Sequence, residues 1–112
     1  KNIKSVHLCF ATDPFMVGYP EVTEMSLEII KLLDFYGIKC VTLTKGIMPF
    51  KELSKFDNKH EFGISLVSLD EDFRKKYEPY SAYYSARIYD LWHYAIITVE
   101  LGLVLNHILH LI

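Results

Sequence analysis

The succession of a strand, a helix and a second strand near the start of the chain is the feature that most limits its fold. Residues 6–13 form an apolar, β-favouring run that ends in a Thr-Asp step before Pro14, and residues 38–44 form a second such run. Between them, residues 21–36 carry apolar side chains at helical spacing after a loop punctuated by Gly18 and Pro20, and Gly37 is a suitable stop. Because strands joined through a helix run parallel, the sequence predicts a right-handed βαβ unit.

The same alternation continues further along the chain. Residues 49–56 predict a short helical turn, and residues 62–69 predict a third strand. Residues 70–77 are charged and predict one or two helical turns, whose charges we interpret as a solvated helix face. A last helix is predicted to begin near residue 81 or 85. We therefore expect an α/β fold, a partial (β/α) barrel of about three parallel strands with intervening helices, over residues 1–94.

Length and composition bound the class of protein and its partners. A chain of 112 residues with 51% hydrophobic content predicts one globular domain. It is too short for a complete eight-unit barrel, which takes about 250 residues. The formal net charge is −2 and no run of Lys and Arg occurs, so the sequence gives no support for nucleic-acid binding. Cys9 and Cys40 stand singly in predicted strands, which is typical of a reduced, cytoplasmic protein. The chain opens on Lys1 without a signal-peptide pattern, and we expect it to be a fragment.

Polar side chains follow each of the three predicted strands. Thr12 and Asp13 follow the first, Lys45 follows the second, and Ser65 or Ser68 follows the third. Because the carboxyl ends of parallel strands share one edge of a sheet, we expect these side chains to lie close together. Hydroxyls, a carboxylate and an ammonium suit a small zwitterionic or anionic ligand, in which Lys45 pairs with a carboxylate and the hydroxyls bind an amine or a ribose. The alternative is that these residues only cap the strands.

Five short motifs occur in a recognisable order between residues 6 and 92. They are Phe10-Ala11-Thr12-Asp13-Pro14-Phe15, Leu43-Thr44-Lys45-Gly46, Ser68-Leu69-Asp70-Glu71, Glu78-Pro79 and Arg87-Ile88. The series resembles the radical SAM proteins of the spore photoproduct lyase group. That group typically shows a Thr-Asp-Pro-aromatic step, a Thr-Lys-small step, a Thr/Ser-Leu-Asp-Glu step, and a Glu-Pro followed by Glu-Arg-Ile.

The resemblance implies a partial barrel that cradles S-adenosylmethionine (SAM) against a [4Fe-4S] cluster. It implies that the complete parent, a lyase or a related enzyme, cleaves SAM reductively to a 5′-deoxyadenosyl radical. By this resemblance Thr12 would lie near the amino or carboxylate end of SAM, and Lys45 would reach its carboxylate or ribose. Ser65 would contact the ribose or carboxylate, and Ser68, one strand register away, is the alternative. Arg87 is a further candidate partner for an anionic group.

The chain departs from this family at the cluster. A radical SAM enzyme holds its cluster with three cysteines, commonly spaced Cys-x3-Cys-x2-Cys. Only Cys9 and Cys40 are present, and they lie in separate predicted strands. We therefore expect that this chain alone cannot bind the cluster and is inactive, carrying only part of the SAM pocket. Asp13 has two roles open to it, as a ligand contact or as a cap of the loop that follows the first strand.

Residues 95–112 form an apolar tail with one charged residue, Glu100, which we expect to be helical or irregular. Its length approaches that of a membrane span, but Glu100 and the histidines would be costly in lipid, so no membrane is expected. The tail can be written as DNA with suitable synonymous codons. If one C is then inserted after the codon of Ala95, the shifted reading frame encodes A-H-N-N-G-R-T-W-V-S-L-E-P-Y-P-T-P-N. That product resembles the family's next strand, and we hypothesise an out-of-frame tail. Sequencing the locus tests this, and the absence of such a frame would contradict it.

Two other functions remain open. The chain could be a non-catalytic α/β binding or assembly module that pairs its open strand edges with another chain, including a second copy of itself. It could also be a small-ligand α/β domain of unrelated chemistry, which would be favoured if the three strand ends did not converge. Fold similarity does not identify the substrate of a parent enzyme.

Overall fold

The computed structural model describes residues 4–8, 13–57 and 59–98. Strands and helices alternate along this part of the chain. They are β1 (Ser5–Leu8), α1 (Pro20–Phe35), β2 (Lys39–Thr44), α2 (Phe50–Leu53), β3 (Glu61–Ile64), α3 (Glu71–Tyr77) and α4 (Tyr84–Thr98). The predicted α/β class is confirmed.

The three strands form one parallel sheet in the order β1-β2-β3. Val6 lies beside Cys40, and Thr42 lies beside Phe62, which fixes the register of the two strand pairs. Since successive side chains of a strand point to opposite faces, the register divides the strand residues into two sets. One set, which we call the helix-covered face, consists of Val6, Leu8, Cys40, Thr42, Thr44, Phe62 and Ile64. The other, the opposite face, consists of Ser5, His7, Lys39, Val41, Leu43, Glu61 and Gly63.

The apolar core lies on the helix-covered face. Its buried strand residues are Cys40, Phe62 and Ile64, and its buried helix residues are Ile30 of α1, Leu53 of α2, and Tyr84, Leu91 and Tyr94 of α4. Because these strand residues share one face, α1, α2 and α4 pack on the same side of the sheet. Among the described residues, none on the opposite face belongs to this core.

Helix α1 ends where the sequence predicts and begins at Pro20, which the sequence pattern assigns to the preceding loop. Pro20 is its first residue, and Gly37 follows its last turn with a φ of +71°, a left-handed conformation that favours glycine. Only part of its apolar repeat is buried, however. Ile30 is fully buried, whereas four other apolar residues of the repeat are exposed: Met25, Ile29, Leu32 and Tyr36. The physical reason is that α1 has a single sheet face to pack against.

The outer strands differ from the prediction. β1 covers Ser5–Leu8 with alternating exposed and half-buried residues, as expected of a strand at the edge of a sheet rather than of a fully buried run. β3 ends at Ile64, several residues before the predicted end of the third strand at residue 69. Of the polar residues after β3, Ser65 is still paired with β2 through its amide, whereas Ser68 lies in the loop.

Helix α4 crosses the predicted boundary between residues 94 and 95. It continues to Thr98, and Ala95 is buried in the contact that α4 makes with the rest of the protein. The remaining residues of the predicted tail, 99–112, lie outside the described residues. Within the described ranges, no helix has the length and apolar character needed to cross a bilayer.

Candidate functional site

A cleft of about 780 Å³ lies at the carboxyl edge of the parallel sheet. Its walls come from the loop before α1, from the turn after β2 and from the segment that joins α3 to α4. The charged side chains on its walls are Asp13, Lys45 and Glu78, and the tyrosines are Tyr19, Tyr77 and Tyr80. The cleft therefore combines ionic groups with aromatic surface, as small-molecule sites commonly do.

Asp13 joins the loop before α1 to the end of β2. Its Oδ1 accepts hydrogen bonds from the Phe15 amide, at 2.9 Å, and from the Thr44 hydroxyl, at 2.5 Å. Its Oδ2 accepts a hydrogen bond from the Lys45 amide at 2.7 Å. These are the bonds of a loop cap, which was one of the two roles open to Asp13. Both carboxylate oxygens are thus already bonded to protein donors on the wall of the cleft.

Gly46 allows the loops after β1 and β2 to meet. The Ile47 amide donates to the Phe15 carbonyl at 3.0 Å, and the Gly46 amide donates to the Thr44 hydroxyl at 2.8 Å. A Cβ atom on Gly46 would lie 1.9 Å from the Phe15 oxygen, which is far inside van der Waals contact. Only glycine fits here, so the Lys-Gly step is required by the contact between the two loops.

Lys45 reaches into the cleft and forms an ion pair there. Its Nζ lies 2.8 Å from Oε2 of Glu78, and the Lys45 side chain is 47% exposed, whereas that of Glu78 is 10% exposed. Burial raises the pKa of Glu78, but the hydrogen bonds and charges of Lys45 and Arg87 outweigh this effect, so the pKa lies below its usual value. Glu78 is therefore ionised at neutral pH.

Arg87 lies behind the cleft wall and does not line the cleft. Its side chain is fully buried, and its guanidinium donates to the carbonyls of Ser65 and Ala82, at 2.6 and 3.0 Å. It also donates to the Ser81 hydroxyl, at 2.6 Å, and to Oε1 of Glu78, at 3.1 Å. The anion that Arg87 contacts is thus Glu78, and its bonds hold the segment before α4 against the chain that leaves β3.

The two predicted serines do not line the cleft either. Ser65 is buried, and its amide donates to the Thr44 carbonyl at 3.0 Å, which extends the pairing of β2 and β3 by one residue. The Ser68 hydroxyl accepts a hydrogen bond from the Asp70 amide at 3.0 Å. Thr12 lies outside the described residues. Of the predicted site residues, the structure therefore brings Asp13 and Lys45 together on the cleft.

The charged segment before the cleft contains an ion pair that the sequence analysis missed. Arg74 is buried, so the predicted solvated face is wrong at this residue. Its Nε pairs with Oε1 of Glu71, and its Nη1 donates to the Ser81 carbonyl at 3.0 Å. Oε2 of Glu71 accepts a hydrogen bond from the Tyr84 amide at 2.7 Å. The i, i+3 spacing of Glu71 and Arg74 is a signal for an ion pair, but not for its burial.

A second buried polar group lies at the opposite, amino edge of the sheet. Nδ1 of the buried His60 accepts a hydrogen bond from the Cys40 amide at 2.9 Å, which places the proton on Nε2, 2.8 Å from Oδ1 of Asp34. Burial raises the pKa of Asp34, but the hydrogen bonds from His60 and the Asp57 amide lower it to a net value below its usual one. This group links α1, β2 and the loop before β3, and it is remote from the cleft.

No family model, curated protein or solved structure matches this chain.

Within residues 4–8, 13–57 and 59–98, no group of three or more His, Cys, Asp or Glu side chains is placed to hold a metal ion. The ionisable groups on the cleft, Asp13, Lys45 and Glu78, all bond to protein partners.

Proposed function

We propose that this chain is part of the (β/α) barrel of a radical SAM enzyme similar to the spore photoproduct lyase group, and that it carries part of the SAM pocket. In the complete parent, a [4Fe-4S] cluster would supply the electron that cleaves SAM to a 5′-deoxyadenosyl radical. The observation that carries the proposal is the meeting of two of the motifs at one cleft. Asp13 and Lys45 are 32 positions apart in sequence, yet the Lys45 amide donates to the Asp13 carboxylate at the carboxyl edge of the sheet.

The placement of the helices supports a barrel wall. In a (β/α) barrel the helices form an outer layer, and the other face of the strands lines the interior. Here α1, α2 and α4 pack on one face, whereas the opposite face carries polar and small residues among its members, including Ser5, His7 and Gly63. A doubly wound sheet would instead carry helices on both faces. The one-sided placement of the helices therefore supports three consecutive barrel units over a doubly wound sheet.

The cysteines of this chain do not fit the cluster. Three thiolates are needed, whereas the chain has two cysteines, of which Cys40 is buried in the core with its thiol pKa raised by burial. Cys9 lies outside the described residues. The cluster ligands of the parent would come from another part of it, in the reducing environment of the cytoplasm. The isolated chain would bind SAM weakly and would not cleave it.

The cleft residues suggest how the ligand would be held. The Lys45 ammonium would pair with the carboxylate of SAM, and Thr12, by the resemblance, would lie near the amino or carboxylate end. Tyr77 and Tyr80 offer exposed rings at the cleft on which an adenine could stack. Ser65 and Arg87 would act by bracing this wall rather than by touching the ligand.

Isothermal titration of the chain with SAM tests the proposal. Because only part of the pocket is present, we expect a dissociation constant of about 0.1–1 mM, equivalent to roughly 4–5.5 kcal/mol. Lys45→Ala should weaken binding at least about threefold, since it removes a charged partner of the carboxylate. Lys51→Ala, at an exposed position of α2, is the matched control and should bind as the unmodified chain does. Absence of binding, or equal binding by the two variants, would contradict the proposal.

A non-catalytic assembly module is the second candidate, and a specific observation favours it. β1 and β3 each have one edge with no strand partner among the described residues. Large apolar side chains are also exposed on the helices, for example Met25, Phe35 and Trp92. Sedimentation velocity over a hundredfold range of protein concentration tests this function. Association that increases with concentration, together with SAM binding that Lys45→Ala does not change, would favour the assembly module.

A further inference from the structure

The ion pair on the cleft has two unequal partners. Oε2 of Glu78 contacts Lys45, and Oε1 accepts a hydrogen bond from the fully buried Arg87. Glu78 is therefore shared between two cations. The Lys45 ammonium, by contrast, has Glu78 as its anionic partner within the described chain, and its side chain is the exposed member of the pair. If the pair opens, Glu78 keeps a charged partner and Lys45 loses its own.

We propose that Glu78 is a built-in counter-ion that an anionic group must displace from Lys45, so that Glu78 limits the affinity and sets the charge selectivity of the cleft. The displacement needs only a rotation of the half-exposed Lys45 side chain into the cleft. Glu78 cannot follow, because Arg87 holds it and is itself bonded to the carbonyls of Ser65 and Ala82. The ligand group is a carboxylate or a phosphate on a small molecule.

The local charges indicate which anions the cleft accepts. Asp13 and Glu78 are negative, and Lys45 and Arg87 are positive, so the formal charges of these four side chains sum to zero. A group with several negative charges would therefore leave the site strongly negative, whereas the carboxylate of a zwitterion brings its own positive charge. Glu78 thus favours amino-acid-like ligands over polyanions. This inference rests on the proposed function only in taking a ligand carboxylate as the group that Lys45 binds.

The test compares three probes on the full chain and its variants, by isothermal titration. The probes are S-adenosylhomocysteine, which is zwitterionic, 5′-methylthioadenosine, which lacks the aminocarboxylate, and inorganic pyrophosphate, which is a polyanion. Glu78→Gln keeps an oxygen that can accept from Arg87 but removes the charge that Lys45 binds. It should tighten binding of S-adenosylhomocysteine about three- to tenfold, as expected for the loss of a competing partly exposed ion pair. The gain for pyrophosphate should be larger, and 5′-methylthioadenosine should be unaffected.

Two further variants isolate the effect. In the double variant Lys45→Ala with Glu78→Gln, the gain from Glu78→Gln should disappear, because no ammonium is left to release. Glu28→Gln, an exposed glutamate of α1 outside the cleft, removes the same charge and should leave all three affinities unchanged. A gain that persists in the double variant would overturn the inference.

A measurement on the unmodified chain keeps the inference testable if Glu78→Gln fails to fold. During titration with pyrophosphate, the NMR signals of the Lys45 side chain should shift, whereas the Arg87 Nε–H signal should stay in place. An equal shift of both signals, or of neither, would overturn the inference.

The outcomes separate this inference from the proposed function. If pyrophosphate binds more tightly to Glu78→Gln than to the unmodified chain but neither SAM nor S-adenosylhomocysteine binds, the counter-ion role of Glu78 is supported and the proposed SAM pocket is contradicted. If both adenosyl ligands bind and Glu78→Gln changes nothing, the SAM pocket stands and the counter-ion role is wrong. If no probe binds to any variant, both are wrong.

Discussion

Asp90 is a buried carboxyl with little to compensate its charge. It lies on α4 and is 7% exposed, and burial raises its pKa to about 6, although a hydrogen bond from the Met48 amide and the charge of His93 oppose the rise. At neutral pH this carboxyl is therefore ionised in a place that disfavours its charge. Because the folded state binds the proton more tightly than the unfolded state, the stability associated with Asp90 is fully present only below the ordinary pKa of 3.8 and is lost as the pH rises through about 6.

We expect Asp90→Asn to stabilise the protein at pH 7.5 by about 1–3 kcal/mol, because the amide removes the buried charge and its oxygen can still accept from the Met48 amide. Urea denaturation between pH 3.5 and 8 measures this. The gain should fade as the pH decreases from 6 to 4 and be small at pH 3.5, where the carboxyl is neutral in the folded state and mostly neutral in the unfolded state. A gain that does not depend on pH would show that the charge of Asp90 is not its cause.

The site residues differ in how far the sequence could predict them. The convergence of Asp13 and Lys45 was predictable, because Lys45 directly follows β2 and Asp13 stands at the sharp polar end of the first apolar run in the sequence. Ser65 and Ser68 could not be placed, since β3 ends at Ile64 and the apolar residues beyond it belong to a loop. The role of Arg87 could not be predicted from the sequence, for another reason. Two of its acceptors are main-chain carbonyls, which any residue type provides and which therefore leave no sequence signal.

At the scale of elements, α4 is fixed to the sheet edge by polar bonds as well as by its apolar side. The Arg87 guanidinium reaches four protein acceptors around the segment that precedes α4. The Tyr84 amide, at the start of the helix, donates to Glu71. These bonds determine where the helix begins and where the outer wall of the cleft stands.

Arg87→Lys should destabilise the protein by about 2–4 kcal/mol, because an ammonium cannot reach acceptors on four sides and leaves buried carbonyls unsatisfied. The free energy of unfolding from urea denaturation measures the effect. Lys75→Gln, on the exposed surface of α3, is the control and should change stability by less than about 0.5 kcal/mol. If Arg87→Lys were as stable as this control, the guanidinium would not be the brace that the geometry indicates.

The order of elements was predictable because each has its own local signal. The helical spacing and the Gly37 stop of α1, and the alternation of β2, are such signals. The exposed apolar residues of α1 were not predictable, since helical spacing shows that a residue is apolar but not whether a partner surface exists for it. Burial depends on how many layers surround the sheet, which is a property of the whole fold.

For the molecule as a whole, the main property is a parallel sheet with its core on one side. Phe62 lies on the helix-covered face and is fully buried, whereas Val41 of the neighbouring strand lies on the opposite face and is partly exposed. The two faces of the same sheet therefore contribute unequally to stability.

We expect Phe62→Ala to cost about 3–5 kcal/mol, because it empties the centre of the core. Val41→Ala should cost about 1 kcal/mol or less, since its side chain leaves no enclosed cavity. Thermal and urea unfolding of both variants measure the difference. Similar costs for the two substitutions would mean that the opposite face is covered, as it would be in a self-associated protein, and sedimentation at the same concentrations would then reveal the association.

Several residues at the carboxyl edge of the sheet hold one part of the chain against another, and this affects how sequence similarity to this chain is to be interpreted. Asp13, Gly46, Glu71 and Arg87 all belong to the short motifs, and each secures one stretch of chain against another. A protein with this fold would need such residues in order to fold, whatever its function. Shared motifs at these positions therefore indicate a shared architecture and are not by themselves a sign of a shared reaction.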